Sequence, residues 1–509
     1  MRTNRQVRNL FTSVAVFQAT FAAWASFTGL LLTSSDSKAE MPFHPTAGER
    51  QLFLDDVGIQ KIENLKRTMH QPVKKGAVIR PNWQLGVSSV QVRTAPVWDA
   101  EQQIFKFWDC AATPPDLTAT GKNYTGYYES PDGLHWSQPE LGQVTYERWP
   151  RNNYISLMAG EHHVRTDYVI HDPTDPDPSR RYKCALPPVG FAVSPDGRRW
   201  KMLPDVPGVP SGDEANFSFD EKAGLLILTV KRNGPNGRSV YLETSRDFKM
   251  WTDHGLIFHT DDLDQKMGLD RIRTRLADDS LQPVMSIDPT RYNVDVYNMG
   301  VFRYESLYVG MPTMYYSTGP SVDGTNTDGF HLVQLTCSRD LKNWQRLGDR
   351  RPFIDSSRPG DGAYDLTGII GPSNAVLRGE ELWFYYTSAK YRTRPPRPDP
   401  DACAISLAVL RRDGFVSLDA GETKGTILTK PFRMTGTKLF LNADAPRGEI
   451  WVEVLDSNGA VLTRSKPVTG NVMHEQVHWQ QSDIARFEDQ TVQLRYLIRN
   501  GRFYSYWTE

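Results

Sequence analysis

A seven-residue segment of the pattern Ser-x-Asp-x-x-x-Trp recurs along this 509-residue chain and constrains its fold more than any other feature. It occurs at 130–136, 194–200, 245–251 and 338–344, with a degenerate fifth copy at 411–415. The Ser and Asp side chains are expected to accept hydrogen bonds from backbone N–H groups of a tight turn, where Gly tolerates a positive φ. The Trp then anchors the start of the next strand against the sheet. We therefore interpret this segment, called the turn box below, as architectural and not catalytic.

The spacing of the turn boxes indicates the size of the repeating unit. Successive copies lie 64, 51, 93 and about 73 residues apart, which gives each interval room for one four-stranded sheet and its loops. Long helical periodicity is missing, and the intervals contain strand-like runs instead. These runs lie at 104–108, 168–171, 225–231, 307–316 and 382–387. Repeats of this size predict an all-β fold with a five-bladed β-propeller.

The pattern changes after Asp413, where short alternating strands follow one another closely. These strands are predicted at 425–434, 438–442, 449–455 and 492–498. About ninety residues of this kind are enough for a small antiparallel β-sandwich. We therefore predict three parts of the chain, namely a signal peptide at 1–39, the propeller at 40–412 and the sandwich at 413–509.

The first forty residues have the composition of a targeting segment. Arg2, Arg5 and Arg8 precede an apolar stretch at 10–32, and small residues flank a cleavage position before Glu40. This pattern predicts a secretory signal peptide and a protein exported to the periplasm or the exterior. The apolar stretch is longer than in most signal peptides, so an uncleaved membrane anchor is the alternative. After cleavage we expect no membrane partner.

Charge and cysteine usage exclude several classes of function. The formal net charge is −1 and basic residues form only short pairs, so no nucleic-acid partner is expected. The four cysteines are scattered without the spacing of a zinc site, and either two disulfides or four buried thiols would fit them. Phosphate-binding, dinucleotide-binding and zinc-protease motifs are missing, so we predict neither a cofactor nor a metal.

Acidic residues recur in phase with the predicted blades. A propeller brings the innermost strand of every blade to a central funnel, so acids that just precede those strands are expected to converge. Two such carboxyl groups, one protonated and one ionised, are what cleavage of a glycosidic bond requires. The candidate acid/base set is Asp213, Asp295 and Asp365, with Glu214 and Asp167 as alternates.

Four further residues are candidates for binding a substrate. His162 precedes the second blade and could contact sugar hydroxyls or a sulfate; its neighbour His163 would face the opposite side of a strand, which argues against a shared metal site. Trp108 and Tyr297 are candidate stacking platforms, and Arg93 precedes the first blade. The acidic pair at 55–56 is interpreted as structural, in a segment that we place in the outer strand closing the ring.

The turn boxes resemble those of five-bladed propeller glycoside hydrolases, the superfamily of invertases, arabinanases and β-xylosidases. The chain is similar in particular to exported bacterial proteins related to glycoside hydrolase family 32. Segments 51–56, 304–310, 413–421 and 439–445 carry that resemblance. The invertase motifs Asn-Asp-Pro-Asn-Gly, Arg-Asp-Pro and Glu-Cys do not occur intact; 169–173 is a partial echo of the second, and Asp213-Glu214 could stand for the third. The resemblance therefore implies an architecture more than an activity.

The resulting hypothesis is a glycoside hydrolase that acts on a poly- or oligosaccharide, such as a sulfated or anhydro polysaccharide. One alternative is a carbohydrate-binding propeller without catalysis. Another is a phosphate-dependent glycoside phosphorylase. The expected partner is a carbohydrate in all three cases, and the sequence leaves open whether the chain is catalytic and which sugar it takes.

Overall fold

The computed structural model describes residues 43–288, 290–322, 324, 326–360, 362–393 and 399–509. The predicted signal peptide or anchor lies outside these residues. Strand pairing within them forms five antiparallel sheets of four or five strands, and this arrangement confirms the five-bladed β-propeller. The five sheets are called blades 1 to 5 in chain order of their inner strands.

The first three blades each contain four strands in simple sequential order. Blade 1 consists of Val97–Asp99, Ile104–Asp109, Thr125–Ser130 and Tyr154–Ile155. Blade 2 consists of Tyr168–His171, Tyr182–Leu186, Gly190–Ser194 and Lys201–Met202. Blade 3 consists of Ala215–Asp220, Leu225–Gly234, Gly237–Ser245 and Thr252–Phe258. Leu157–Ala159 and His162–Val164 form a separate hairpin between blades 1 and 2.

The last two blades each contain an additional strand. Blade 4 consists of Asn293–Tyr304, Leu307–Pro320, Thr327–Val333, Thr336–Ser338 and Gln345–Arg346. Blade 5 consists of Gly368–Ile370, Val376–Arg378, Glu381–Ala389, Cys403–Arg411 and Val73–Ile79.

Helices are few in the described part of the chain. The α-helix Asp262–Leu276 joins blades 3 and 4, and its first turn is closed by a capping box between Asp261 and Asp264. A short α-helix spans Pro115–Thr118. The remaining helices are 3₁₀ turns at Trp83–Leu85, Pro178–Arg180, Gly348–Arg350 and Ile484–Phe487.

The turn boxes have the hydrogen bonds that their sequence predicts. In blade 2, Ser194 Oγ accepts the Gly197 N–H at 2.9 Å, and Asp196 Oδ1 accepts the next two backbone N–H groups, each at 2.9 Å. Gly197 has a φ of +76°, and the indole of Trp200 donates to its carbonyl at 3.0 Å. Each of the first four boxes begins at the end of the strand that pairs with the outer strand of its blade. The architectural interpretation is therefore confirmed.

The turn boxes also connect neighbouring blades. Trp108, on the second strand of blade 1, donates its indole N–H to the Gly197 carbonyl of blade 2 at 2.9 Å. Tyr385 of blade 5 donates in the same way to the Gly133 carbonyl of blade 1 at 2.8 Å. In the third box, Phe248 packs its ring edge against Phe191 of blade 2. A buried aromatic from one blade thus holds the turn of the next.

An N-terminal strand closes the ring. Val73–Ile79 pairs antiparallel with Cys403–Arg411 and so supplies the outer strand of blade 5. This corrects the placement of the ring-closing strand at residues 55–56, where Asp55 instead accepts a bidentate contact from Arg339 at 2.8 and 3.0 Å. The fifth turn box is degenerate because the chain leaves blade 5 there and has no outer strand of its own to begin.

The remaining strands form one antiparallel sheet of eleven strands, called the C-terminal sheet. The long, twice-bulged strand Leu439–Leu455 lies at its centre and pairs with four others. The chain contributes the other ten strands from both of its ends: Gln51–Leu52, Ile59–Glu63, Lys66–Met69, Val416–Ala420, Gly425–Thr429, Phe432–Arg433, Val461–Arg464, Val468–Gln476, Thr491–Arg499 and Gly501–Thr508.

This pairing shifts the predicted boundary between the two parts of the chain. Residues 51–69 were expected in the propeller, yet their strands belong to the C-terminal sheet. Pairing between distant segments decides this membership, and local sequence does not contain it. That the C-terminal part is a sandwich remains a prediction.

Asp413 fixes the propeller to the C-terminal sheet. Its buried carboxylate accepts Arg50 Nη1 at 2.6 Å, the Tyr304 hydroxyl at 2.6 Å and Asn442 Nδ2 at 3.1 Å. The hydroxyl of Ser505 donates to the same carboxylate. The acid of the fifth turn box has thus become the centre of an interdomain hydrogen-bond network, which suits a fully buried charge.

Candidate functional site

Two adjoining cavities lie at the end of the propeller where the inner strands of blades 2 and 3 begin. The first has a volume of about 550 Å³, and its wall includes Asp213, Lys231, Arg238, Tyr297 and Arg392. The second has a volume of about 440 Å³. Asp213 lines both cavities, so they form one continuous candidate site.

A buried ion pair between Arg93 and Glu214 lies beside these cavities. Arg93 Nε contacts one carboxylate oxygen of Glu214, and Nη2 donates to the other at 2.6 Å. Both side chains are less than a tenth exposed. With both oxygens occupied by the guanidinium, Glu214 is poorly suited to proton transfer, and Arg93 is poorly suited to contact a substrate directly.

Asp167 lines the second cavity just before the inner strand of blade 2. Arg165 Nη2 donates to its Oδ2 at 3.0 Å, whereas its buried Oδ1 has no hydrogen-bond partner among the described residues. Burial raises the pKa of Asp167 above its ordinary value, although the charges of Arg165 and Arg93 oppose this shift. The carboxyl group is therefore biased toward its protonated form.

Asp213 has the opposite environment. Its side chain is 79% exposed and its Oδ1 contacts the ammonium of Lys231. Partial burial acts to raise the pKa of Asp213, but the hydrogen bond and charge of Lys231 outweigh it, so the pKa lies below its ordinary value. Asp213 is therefore ionised at neutral pH.

Asp295 lies on the inner strand of blade 4, beside the first cavity. Arg238 Nε donates to its Oδ2 at 2.8 Å, and its Oδ1 is buried without a partner in the described chain. Burial raises the pKa of Asp295 against the opposing charge of Arg238. Asp295 lines neither cavity. It contacts Arg238, which lines the first cavity.

Tyr297 lies in the wall of the first cavity, and the guanidinium groups of Arg238 and Arg392 approach its ring at 5.6 and 5.7 Å. Its ring is 4.6 Å from Lys231 Nζ and packs against the ring of His331 at a centroid distance of 4.8 Å. Burial, together with the charge of Glu214, raises the pKa of Tyr297 to about 12. The ring is part of the cavity wall, so the stacking role remains a prediction that its position allows.

Three predicted site residues lie elsewhere. Asp365 binds Lys74 Nζ at 2.6 Å and the Tyr386 hydroxyl at 2.9 Å inside blade 5, and it lines neither cavity. Trp108 is 1% exposed and its indole binds the Gly197 carbonyl of blade 2, so no sugar ring can stack on it. His162 is exposed on the hairpin next to blade 2, and its neighbour His163 lines the second cavity instead.

Four cations of the first cavity were not predicted as site residues. Lys231 and Arg232 lie on the second strand of blade 3, Arg238 lies on its third strand, and Arg392 follows the strand Glu381–Ala389 of blade 5. None of them directly precedes an inner strand, so the pattern of acids in phase with the blades does not include them. The one sequence signal is that Lys231 ends the apolar run 225–230 with a charge.

The described residues also contain potential metal ligands and the four thiols of the chain. Among the described residues, no group of three or more His, Cys, Asp or Glu side chains is placed to hold a metal ion. All four cysteines are free thiols, and three of them are buried. Within the described ranges, no helix is both long and apolar enough to cross a membrane.

Comparison with known proteins gives structural resemblances only. No protein-family model and no curated protein matches the chain. Among solved structures, a family 32 β-fructofuranosidase from Bombyx mori matches at 10% identity and a TM-score of 0.38, over 86% of this chain and 93% of that one. A β-fructofuranosidase from Schwanniomyces occidentalis matches at 11% identity and a TM-score of 0.39, over 86% of this chain and 97% of that one.

A family 43 arabinoxylan arabinofuranohydrolase from Bacillus subtilis matches at 9% identity and a TM-score of 0.34, over 85% of this chain and 99% of that one. The chain is thus similar to propeller glycoside hydrolases of families 32 and 43. At such scores and identities the likeness assigns no activity and no site residue to this chain.

Proposed function

We propose that this chain is a glycoside hydrolase that cleaves a glycosidic bond of a poly- or oligosaccharide at the second cavity. The observation that carries the proposal is the pair Asp167 and Asp213. Both line that cavity, and their surroundings move their pKa values in opposite directions. Two carboxyl groups tuned apart in one site are what acid/base chemistry on a glycosidic oxygen requires.

The proposed division of labour follows from the two environments. Asp167 is the general acid, because burial favours its protonated form and Arg165 orients it. It gives its proton to the leaving oxygen as the bond to the anomeric carbon breaks. Asp213 is the ionised partner that either attacks that carbon or takes a proton from the attacking water.

A phosphate-dependent phosphorylase is the second candidate, supported by the cations of the first cavity. Lys231, Arg238 and Arg392 line the space directly beside Asp213. Inorganic phosphate placed there could attack the anomeric carbon in place of water, and the product would then be a sugar phosphate. The same Asp167 would protonate the leaving oxygen.

The test is release of new reducing ends from a panel of neutral and sulfated polysaccharides, with and without inorganic phosphate. We expect Asp167→Asn and Asp213→Asn each to lose about a hundredfold or more of the wild-type rate. Asp205→Asn, a change at an exposed loop carboxylate, is the matched control and should keep full activity.

Full activity in both site variants would overturn the assignment of these two acids. A strict requirement for phosphate would select the phosphorylase. Saturable glycan binding by the wild type, with no release of sugar during long incubation, would make the chain a binding protein.

A further inference from the structure

The cationic side chains in the wall of the first cavity outnumber its carboxylates. Four cationic side chains line it, namely Lys231, Arg232, Arg238 and Arg392, and Asp213 is the carboxylate in its wall. These cations differ in how far the protein already uses them. That difference decides which of them can bind something else.

Arg232 and Lys231 are already engaged. Arg232 donates to the Pro210 carbonyl at 2.8 Å, to Asp253 at 2.8 Å and to Glu243 at 2.6 Å, so each of its nitrogens has a partner. Lys231 contacts Asp213 and lies over the ring of Tyr297. Both side chains therefore form walls of the cavity.

Arg238 and Arg392 have unused donors. Arg238 gives its Nε to Asp295, and its two terminal nitrogens make no hydrogen bond to any described residue. Arg392 makes no ion pair or hydrogen bond with the described chain, and its buried Nε is left without a partner. A buried guanidinium donor without an acceptor is costly unless a ligand supplies one.

The guanidinium groups of Arg238 and Arg392 lie against the same two tyrosine rings. Their central carbons lie 4.7 and 5.0 Å from the ring centroid of Tyr315, and 5.6 and 5.7 Å from that of Tyr297. The two charges are therefore at most about 10 Å apart, which is about the Debye length at 0.1 M ionic strength. Asp295 pairs with the Nε of Arg238 only, so an anion between the two guanidinium groups would offset the charge of Arg392, which has no carboxylate partner among the described residues.

His331 lies close enough to Arg238 and Arg392 for their charges to act on its imidazole. It is 2% exposed beneath the rings of Tyr297 and Tyr315, and neither ring nitrogen has a partner among the described residues. Burial holds the pKa of His331 well below its ordinary value, and the charges of Arg392 and Arg238 add to this. A neutral imidazole under two cations is a floor that adds no further positive charge.

We propose that the first cavity is an oxyanion subsite in which Arg392 and the terminal nitrogens of Arg238 bind a sulfate or phosphate group. This proposal rests on the proposed function. The subsite would bind a group on the sugar next to the glycosidic bond that Asp167 and Asp213 cleave. The oxyanion is either a substituent of the sugar chain or free inorganic phosphate. Guanidinium forks suit both, because their paired N–H donors match two oxygens of a tetrahedral anion.

The test is a calorimetric titration of the full chain in the Asp167→Asn background, so that no turnover interferes. The probes are galactose 6-sulfate, galactose and inorganic phosphate. We expect one or both anions to bind and galactose to bind at least tenfold more weakly. Arg392→Gln should weaken anion binding about tenfold or more, and Arg392→Lys, which keeps the charge but loses the fork, should fall between.

Arg273→Gln, a change at an exposed arginine of the helix between blades 3 and 4, is the matched control and should leave binding unchanged. Preference for the sugar sulfate assigns the subsite to a sulfated glycan, and preference for phosphate assigns it to the free ion. Equal binding of galactose and its sulfate, or wild-type anion affinity in Arg392→Gln, would overturn the subsite. Because the titration needs no catalysis, a chain that binds the anion but releases no sugar would refute the hydrolase and not the subsite.

Discussion

Arg93 binds both carboxylate oxygens of Glu214, and this buried pair reaches from the segment before blade 1 to the segment before blade 3. Blade 2 lies between them in the ring, and its Asp167 is close enough for both charges to affect its pKa. Burial and Arg165 have the larger effects on the pKa of Asp167, and the two charges of the pair add smaller effects of opposite sign. They do so from a position where neither residue of the pair needs to touch the substrate.

The first prediction concerns the stability that depends on this pair. Glu214→Ala should lower the free energy of unfolding by about 3–5 kcal/mol, because it leaves the Arg93 guanidinium buried without a counter-charge. Replacing both partners with leucine should recover much of the loss, since no unpaired charge then remains. Urea denaturation followed by tryptophan fluorescence measures both variants. A Glu214→Ala protein as stable as the wild type would show that the pair is not desolvated.

The second prediction concerns the pH dependence of the proposed hydrolysis. Activity requires Asp213 ionised and Asp167 protonated, so kcat/KM should fall at acidic pH as Asp213 takes up a proton and at higher pH as Asp167 loses one. The lowered pKa of Asp213 and the raised pKa of Asp167 widen the active range on both sides. The measurement is the pH profile on the best substrate from the panel.

Leaving-group dependence separates the two roles. Asp167→Asn should recover activity on aryl glycosides whose leaving group needs no proton, whereas Asp213→Asn should stay inactive on them. Equal loss in both variants on such substrates would count against Asp167 as the acid.

The third prediction concerns the contact between Trp108 of blade 1 and Gly197 of blade 2. A Cβ at Gly197 would lie 2.8 Å from Trp108 Cζ2 and would sit at a φ of +76°, so Gly197→Ala should destabilise the protein through both overlap and backbone strain. Gly224→Ala is the matched control, because Gly224 has a φ of +57° and no atom within 4 Å of the added Cβ. We expect Gly197→Ala to cost about 1–3 kcal/mol more than the control in urea denaturation. Equal costs would mean that the interblade contact yields freely.

The fourth prediction concerns Asp109, a fully buried acid at the end of the second strand of blade 1. Burial raises the pKa of Asp109 to about 7, against the hydrogen bonds that its Oδ1 accepts from Gln91 and Ala111. A raised folded-state pKa stabilises the fold at low pH, and that contribution is lost as pH rises toward 7. The wild type should therefore lose roughly 3 kcal/mol more than Asp109→Asn between pH 4 and pH 7.

Asparagine keeps the acceptor oxygen at position 109 but cannot ionise, so the comparison isolates the titration. Asp279→Asn, at an exposed carboxylate, should follow the wild-type curve. Parallel curves for wild type and Asp109→Asn, measured by denaturation across the pH range, would contradict the shifted pKa.

The repeating part of the fold could be predicted because its chemistry is local. The Ser, Asp and Gly of each turn box satisfy one another within four residues, so the sequence specifies the turn and its spacing specifies the blade. Closure of the ring could not be predicted in this way. Val73–Ile79 pairs with Cys403–Arg411, which lies more than three hundred residues later, and the sequence of neither strand indicates this pairing.

The candidate site was predicted only in part, for the same reason. Asp167 and Asp213 lie where acids in phase with the blades should lie, just before the inner strands of blades 2 and 3. Asp365 is in the same phase, but its side chain turns to Lys74 of the closing strand, whose position the sequence did not reveal. Glu214 was placed near the site, and only tertiary packing decides that Arg93 occupies both of its oxygens.

The division of the C-terminal sheet between both chain ends has a consequence for synthesis. Gln51–Leu52 pairs with Gly501–Thr508, so one of the earliest strands to leave the ribosome must wait for one of the last. Until both strands are present, each of them has an unpaired edge that is exposed to neighbouring chains, and the sequence of the whole ring separates the two. A chain without residues 505 and 506 would therefore keep every strand of the five blades but leave Gln51–Leu52 without its partner in the C-terminal sheet.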